Sequence, residues 1–414
     1  MSKQVDYKLF FVVVALVVFW MIMISSVSVY QSFKVTSNMV KNWLTDDPYN
    51  YFYVIRNISH AAISFAILWI LVKVPYTFFE KNARYIYYWS LVLLILVLAM
   101  WITLKWARWW ISIPWIPFTI QPTEFLKFGF IIYLAYFFKK IKHKLHTFQD
   151  WFIPFLFILW TVVFLVWLQP DFWTIMLMVP VATLMFFVAW ANVKYISMLV
   201  LSWFILVFTV YSIWDYDKTT WKNLNKLWYI TQRIDNFLSD EKSSIENNTI
   251  NYQTEQAIIA IWSGWFGWLG FWKSIQKFWY LPEVQWDFIF SVVIEELWFV
   301  WALVIICLYL YIWYRWAYIA LRSKDLFAKY VAVGMTSRFI MQAFINMWVN
   351  LNIVPLTWIT LPFISYGWSS LLTSIMWLAV VLNISRYIEQ REFSTKSIWN
   401  SRKVMNFLKF DNKK

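Results

Sequence analysis

Long apolar segments recur along most of this 414-residue chain, and they constrain its fold more than any other feature. A helix needs about 20 mainly apolar residues to cross a bilayer. A soluble domain is excluded, because 62% of the residues are hydrophobic and 14% are charged, against about 45–50% and about 25% in soluble domains. The sequence therefore predicts an all-α polytopic membrane protein with about ten transmembrane helices, at residues 7–31, 52–74, 85–104, 122–139, 151–168, 171–191, 195–214, 287–314, 327–350 and 360–385.

The distribution of basic residues predicts the orientation of these spans. One set of short connections is rich in lysine and arginine, including residues 139–144 and 315–329, and cytoplasmic loops carry such an excess. We therefore expect both termini in the cytoplasm and a single transmembrane domain over residues 1–414. A basic cytoplasmic tail, residues 386–414, accounts for much of the net charge of +14 without a nucleic-acid partner, because basic juxtamembrane segments are attracted to anionic lipid.

One connection, residues 215–286, is much longer than the others, and we expect it to lie outside the cytoplasm between spans seven and eight. Its first half is polar, and its second half is amphipathic and contains glycine and aromatic residues. Long connections with structure of their own are often functional. The single cysteine, Cys307, lies in an apolar segment, so we expect neither a disulfide framework nor a cysteine metal cluster.

Ionisable residues inside the predicted spans are candidate functional groups, because placing them in a bilayer is costly. Glu124 and Lys127 are three residues apart at the start of the fourth span, so they share a helix face and can pair. A structural link between helices is the alternative role, and exchanging the two charges is then expected to recover part of the lost stability. Asp171 begins the sixth span, where a carboxylate can also simply cap the helix N-terminus.

Two further polar groups lie in the eighth and ninth spans. Three carboxylates occur within ten residues of the eighth span, and this density favours a functional role over simple solvation: Asp287, Glu295 and Glu296. In the ninth span, four polar residues at successive fourth positions form a stripe that must contact protein or a water-filled cavity: Arg338, Gln342, Asn346 and Asn350. Buried hydrogen bonding between helices is an equally simple explanation of the stripe.

Several short segments resemble the signature sequences of the SEDS family, which includes FtsW, RodA and SpoVE. They follow the order of the family over nearly the whole chain. Segments 273–277 and 360–362 resemble FtsW and SpoVE more than RodA. The other matching segments are residues 121–127, 168–171, 281–283, 287–290, 295–297, 342–346, 361–371 and 382–384.

The resemblance implies a fold and an activity. SEDS proteins are ten-span proteins of the cytoplasmic (inner) membrane that polymerise lipid II into glycan strands at its outer face. They act with a class B penicillin-binding protein, and we also expect the nascent glycan and other divisome or elongasome membrane proteins as partners. Two other functions stay open. A lipid II flippase would need residues 338–350 and the Glu124–Lys127 pair more than Asp287, and a non-enzymatic scaffold of the cell-wall machinery would need none of them.

The resemblance also implies roles for individual residues. It places the essential aspartate of the family at Asp287, which we expect to be the catalytic base for the acceptor hydroxyl. Lys127 and Arg108 are candidates for balancing the charge of the leaving pyrophosphate, a role that Mg²⁺ or Mn²⁺ could share, although the sequence encodes no visible metal site. The remaining candidates are expected to bind substrate or shape the cavity: Glu124, Asp171, Glu283, Glu295, Glu296, Gln342, Asn346, Ser365, Ser369 and Ser370.

Tryptophan and glycine occur in unusual numbers. The chain has 33 tryptophans and 6 glycines, whereas average usage of about 7% predicts about 29 glycines. The sequence favours the hypothesis that roughly 23 to 28 tryptophans are UGA codons that the ribosomes of the organism read as glycine. The alternative is a tryptophan-rich lineage whose indoles anchor spans at the interfaces. Tryptophan replaces a glycine of the SEDS family at Trp173, Trp262, Trp265, Trp272, Trp279, Trp298, Trp358 and Trp368.

Overall fold

The computed structural model is mainly α-helical in the part of the chain that it describes. The described residues are 5–99, 111–112, 119–142, 151–169, 171–189, 195, 197–204, 233, 237, 248–267, 269–278, 280–281 and 284–388. The helices up to residue 188 are α1 (Tyr7–Val27), α2 (Val29–Lys41), α3 (Phe52–Lys73), α4 (Tyr76–Lys81), α5 (Ala83–Ala99), α6 (Pro122–Ile141), α7 (Ile153–Leu168) and α8 (Phe172–Val188). They are followed by α9 (Asn248–Phe266), α10 (Ile289–Leu297), α11 (Phe299–Arg322), α12 (Leu326–Asn350) and α13 (Trp368–Ser385).

Several helices have the length and composition of membrane spans. Helices α1, α3, α11 and α13 are long and apolar enough to cross a membrane, and α5, α7 and α8 are apolar but shorter. Large apolar side chains on the outer faces of these helices are exposed, including Trp69, Phe157 and Leu321, as expected for residues that face lipid. The predicted all-α polytopic membrane architecture is confirmed, and the count of ten spans stays a prediction.

Most of the seventh predicted span, 195–214, lies outside the described residues. Of the other nine, most coincide with helices to within a few residues, but two do not. The eighth span, predicted over 287–314, is wrong as a single helix, because α10 ends at Leu297 and α11 begins at Phe299. Trp298 between them has a φ of 77°, and this left-handed backbone breaks the helical hydrogen-bond pattern. The tenth span, predicted over 360–385, becomes helical only at Trp368, because residues 362–366 form turns and bends.

Helices α12 and α13 lie at the centre of the bundle. Helix α12 packs against α6, α8 and α11, and α13 packs against α3 and α6. Gly334 on α12 permits this close approach, because a Cβ atom there would lie 2.6 Å from the side chains of both Ile131 and Met185. Helix α12 carries the predicted polar stripe, and α13 begins within residues 365–370, which we call the serine-rich segment. Both helices are therefore interior.

Two features outside the main helices bear on the site. A short antiparallel pair joins β1 (Ile111–Ser112) to β2 (Thr119–Ile120), immediately before α6. The second half of the predicted loop 215–286 contains α9 and the segment 269–281 that leads toward α10. Most of the first half of that loop and the tail beyond residue 388 lie outside the described residues, so the domain boundaries stay predictions.

Candidate active site

Asp287 lies in the turn that precedes α10, and two asparagines of α12 hold its backbone. Its carbonyl oxygen accepts hydrogen bonds from Asn346 Nδ2 at 3.1 Å and from Asn350 Nδ2 at 2.8 Å. Asn350 Oδ1 in turn accepts from the backbone N–H and the hydroxyl of Ser291, at 3.2 and 2.7 Å. Asp287 is 5% exposed. Helix α12 therefore fixes the start of α10 next to Asp287.

The polar stripe of α12 also contacts the segment before α13. Asn346 Nδ2 donates to the carbonyl of Ile359 at 2.8 Å, and Gln342 Nε2 donates to the carbonyl of Thr360 at 2.9 Å. The hydroxyls of Thr360 and Ser370 lie 2.9 Å apart. The prediction that the stripe must face protein or a cavity is confirmed, because its side chains bond to buried protein groups. The stripe thus connects the turn of Asp287 to residues 359–370.

The serine-rich segment contacts two other parts of the site. Ser369 Oγ accepts from the backbone N–H of Gln121 at 3.0 Å and donates to the carbonyl of Thr119 at 3.2 Å. Ser365 Oγ accepts from the N–H of Leu361 at 2.8 Å, which closes a turn. These two hydroxyls are used within the protein, so they fix the shape of the chain at the start of α13.

Tyr366 connects that segment to the approach to Asp287. Its backbone N–H donates to the carbonyl of Gln285 at 2.8 Å. Its ring packs edge-on against Trp286, with centroids 4.7 Å apart. Residues 285 and 286 are therefore held against the serine-rich segment.

Glu124 lies between two cations inside the bundle. Lys127 Nζ donates to Glu124 Oε1, and Arg338 Nη2 donates to Glu124 Oε2, each at 2.7 Å. The hydroxyl of Thr373 on α13 also reaches Oε2, at 3.2 Å. The predicted Glu124–Lys127 pair is confirmed, and Arg338 from α12 is a further partner of the same carboxylate.

Asp171 caps α8, as one of the two predicted alternatives stated. Its carboxylate accepts from the backbone N–H of Thr174 at 3.1 Å and from the Thr174 hydroxyl at 2.7 Å. It also interacts electrostatically with Lys127 and Glu124. Together with Arg338, these groups form a buried cluster of two carboxylates and two cations with no formal net charge. Such a balanced cluster suits a role in holding α6, α8 and α12 together.

Glu295 and Glu296 contact the protein itself rather than open space. Glu295 accepts from the hydroxyl of Ser274 at 2.5 Å, and Glu296 accepts from Lys277 Nζ at 2.7 Å. Both carboxylates are buried, at 1% and 0% exposure. Sequence reasoning did not single out Ser274 and Lys277 for this contact, although they lie in the FtsW-like segment 273–277. Two other predicted site residues, Arg108 and Glu283, lie outside the described residues.

No group of three or more histidine, cysteine, aspartate or glutamate side chains that could hold a metal ion occurs among the described residues. Mg²⁺ is usually held by one or two carboxylates together with substrate phosphates, so the expected Mg²⁺ or Mn²⁺ stays a prediction. We derive no catalytic step through such an ion.

The sequence is similar to known proteins over almost its full length. The profile of a family described as cell cycle proteins, FtsW, RodA and SpoVE, matches residues 7–390. Stage V sporulation protein E of Bacillus subtilis is 32% identical over 344 residues, which cover 82% of this chain and 88% of that protein. A probable peptidoglycan glycosyltransferase FtsW of Trichlorobacter lovleyi is 31% identical over 386 residues, covering 92% of this chain and 93% of the relative.

Solved structures share the fold. A chain of a peptidoglycan synthase complex that coordinates polymerization and crosslinking superimposes with a TM-score of 0.70 at 22% identity, covering 94% of this chain and 99% of that chain. The rod shape determining protein RodA of Thermus thermophilus superimposes with a TM-score of 0.63 at 21% identity, covering 94% and 98%. The match of the family profile and the identity to the curated relatives agree with the resemblance in the signature segments. This chain belongs to the FtsW/RodA/SpoVE family of cell cycle proteins.

Proposed function

We propose that this protein is a peptidoglycan glycosyltransferase that polymerises lipid II into glycan strands at the outer face of the cytoplasmic membrane. Family membership and the named activity of the FtsW relatives support this function. The observation that carries it is the placement of Asp287, which stands where the long loop enters α10 and whose backbone is fixed by Asn346 and Asn350. The similarity to FtsW and SpoVE favours a role in cell division or sporulation over elongation.

The chemistry that we propose is an inverting transfer to a sugar hydroxyl. Asp287 takes the proton of the acceptor hydroxyl as that oxygen bonds to the anomeric carbon of the donor. The bond from that carbon to the lipid pyrophosphate breaks, and the pyrophosphate leaves with the electron pair. A carboxylate can perform this step only within hydrogen-bond reach of the hydroxyl, so a firmly held backbone at Asp287 is an advantage.

The leaving pyrophosphate needs compensating charge. Lys127 is already bonded to Glu124 within a balanced buried cluster, so we assign that cluster to the shape of the bundle. Arg108 stays our candidate for the pyrophosphate.

We propose a class B penicillin-binding protein as the partner that cross-links the product. The support is the similar fold of a chain from a synthase complex that couples polymerization and crosslinking. Other membrane proteins of the divisome or elongasome are expected to join the same assembly.

Reconstitution tests the function directly. The wild-type protein and an Asp287→Asn variant are each placed in liposomes with the penicillin-binding partner and lipid II, and glycan polymer is measured. We expect polymer from the wild type and none from the variant, while partner binding and thermal unfolding are unchanged. Asparagine keeps the size of the side chain but cannot take the proton.

Two outcomes would contradict the proposal. Wild-type amounts of polymer from Asp287→Asn would exclude the carboxylate as base. Movement of lipid II across the bilayer without polymer from the wild-type protein would identify a flippase instead.

A further inference from the structure

A second buried ion pair joins the long loop to the bundle, and the chemistry proposed above does not use it. Lys277 Nζ lies 2.7 Å from Glu296 Oε1, and the two side chains are 2% and 0% exposed. The hydroxyl of Ser26, near the end of α1, lies 2.7 Å from Glu296 Oε1 and 2.8 Å from Lys277 Nζ. The loop, α10 and α1 therefore meet at one polar point.

The neighbouring carboxylate holds the same stretch of loop. Glu295 accepts from the hydroxyl of Ser274 and from the backbone N–H of Ile275, at 2.5 and 3.0 Å. The N–H of Lys277 donates to the Ser274 hydroxyl at 3.2 Å, which closes the turn. We call this group the loop clamp, and it consists of Ser26, Ser274, Lys277, Glu295 and Glu296.

The clamp and the asparagines of α12 hold the two ends of the segment 274–287, which precedes α10 in the chain. The clamp fixes residues 274–277 at the C-terminal end of α10, and Asn346 and Asn350 fix Asp287 at its N-terminal end. Helix α10 has nine residues, so the two points are about 13 Å apart along its axis. A chain that is fixed at both ends has few conformations left. The clamp therefore limits how far the approach to Asp287 can move.

The clamp contains a buried ion pair, Lys277–Glu296. Such a pair is a poor source of folding stability, because the free energy lost by removing two charges from water is about as large as the free energy gained from their attraction. Its geometry is nevertheless strict, since each charge must meet its partner. Such a pair is suited to fixing the register of the loop, which apolar contacts would define less sharply.

We propose that Lys277 and Glu296 are positioning residues for Asp287, which they serve by fixing the loop that precedes it. This proposal rests on the proposed glycosyltransferase function. The two residues do not contact the reacting atoms in this account. Their loss should lower the turnover of bound substrate rather than its binding.

The test compares Lys277→Met with a matched control at the other end of α1. In the control, Arg315→Met removes the partner of Asp6, whose carboxylate is also buried. Asp6 and Ser26 are separated by the length of α1, about 30 Å. We expect both variants to lower the melting temperature, but only Lys277→Met to lower the kcat of polymer formation, by about tenfold or more with little change in KM.

A charge exchange and a readout besides activity complete the test. The double variant Lys277→Glu with Glu296→Lys restores the ion pair and should recover part of kcat. Hydrogen exchange should be faster across residues 269–287 in Lys277→Met and unchanged there in Arg315→Met. An unchanged kcat with unchanged exchange, or an equal loss of kcat in the control, would overturn the proposal. If the wild type makes no polymer, the glycosyltransferase function fails, and the exchange measurement still reports on the clamp.

An independent observation concerns the tryptophans. Among the described residues, five non-glycine residues have positive φ, and three of these are tryptophans: Trp43 at 59°, Trp272 at 70° and Trp298 at 77°. A bulky residue in this region is an outlier, whereas glycine adopts it without a steric penalty. Trp272 and Trp298 stand where the SEDS family has glycine. The backbone therefore has a glycine conformation at positions that the sequence comparison selects independently.

The buried tryptophans also support the hypothesis that many of these positions are glycine in the organism. Within the described part of the chain, none of the five buried indole N–H groups has a hydrogen-bond acceptor. A buried indole N–H usually finds an acceptor, because leaving it unpaired is costly. Anchoring at membrane interfaces explains exposed indoles, but it explains neither this group nor the left-handed residues. The five are Trp20, Trp151, Trp173, Trp316 and Trp377.

We infer that most tryptophan positions of this chain, including Trp272 and Trp298, are UGA codons that its own ribosomes translate as glycine. The protein made by the organism would then have an ordinary glycine content. The gap between α10 and α11 would be a glycine hinge at position 298.

The codons of the gene and the peptide masses of the protein isolated from the organism test this inference. We expect UGA at codons 272 and 298, and peptides across residues 262–272 of the isolated protein with the mass of glycine at each such codon. UGG codons, or peptides with the mass of tryptophan, would overturn it.

A recombinant comparison gives a second measurement. In a host with the standard code, Trp298→Gly should raise the melting temperature of the chain, because it removes the left-handed bulky residue. Trp160→Gly is the matched control, since Trp160 is also about half exposed but lies inside α7. It should lower the melting temperature, as glycine does inside helices. A lower melting temperature for Trp298→Gly would count against the inference.

Discussion

Asn350 donates a hydrogen bond from its side-chain amide to the backbone carbonyl of Asp287, at 2.8 Å, across the contact between α12 and the start of α10. The two residues are 63 positions apart in the chain. The same amide group of Asn350 accepts both hydrogen bonds of Ser291 through its oxygen. A single buried side chain therefore connects the stripe of α12 to the proposed catalytic base.

Asn350→Ala should lower polymer formation by more than the accompanying loss of folding stability explains. The change leaves Ser291 without its acceptor, which costs about 1–3 kcal/mol, and loosens the backbone of Asp287. Asn383→Ala is the matched control, because Asn383 also bridges two backbone groups, the carbonyl of Val72 and the N–H of Tyr76. Polymer formation and thermal unfolding are measured for both. Equal activity in the two variants would show that Asn350 does not position Asp287.

Removal of Glu124 should be more damaging than removal of Lys127. Glu124→Gln leaves Lys127 and Arg338 without their shared carboxylate, and an unpaired buried charge costs about 3–5 kcal/mol. Lys127→Met leaves Glu124 still bonded to Arg338 and Thr373, so we expect a smaller loss. Thermal unfolding in detergent measures both. Equal losses would mean that Arg338 does not stabilise the carboxylate.

The same geometry changes the expectation for a charge exchange at this site. Exchanging Glu124 and Lys127 would place a lysine beside Arg338, because Arg338 contacts position 124 directly. We now expect little recovery of the free energy of unfolding from the double variant. Recovery to the level of the wild type would contradict the placement of Arg338.

Two glycines near the end of α9 should respond differently to alanine. A Cβ atom at Gly264 would lie 2.1 Å from the carbonyl oxygen of Ile294, whereas a Cβ atom at Gly267 would have no atom within 4 Å. Gly264→Ala must therefore push α9 away from α10 and lower the melting temperature strongly. Gly267→Ala should change it little. A neutral Gly264→Ala variant would show that the two helices can separate without loss.

Tyr309 should stabilise the turn that precedes α13. Its buried hydroxyl donates to the carbonyl of Pro362. Tyr309→Phe keeps the packing of the ring but leaves that carbonyl unpaired, and we expect a loss of about 1–3 kcal/mol. Chemical denaturation of the purified protein measures this loss, and an unchanged midpoint would mean that the carbonyl finds another donor.

The sequence alone determined the class of fold and the faces that must be buried. The length of the apolar segments identified the helices, because only a long apolar helix can cross a bilayer. The spacing of four residues between successive polar side chains from Arg338 to Asn350 identified one face of α12 as interior. The signature segments selected Asp287. Each of these inferences depends on residues that are close in the chain or on a pattern that repeats locally.

Only the tertiary structure decided which buried groups meet. Arg338 pairs with Glu124 across 214 positions, and Ser26 meets Glu296 across 270, distances over which no local pattern carries information. Hydropathy also missed the break at Trp298, because it records how apolar a side chain is and not the φ of its backbone. The physical reason is the same in each case. Burial is set by the composition of a segment, whereas the partner of a buried charge is set by how the helices pack.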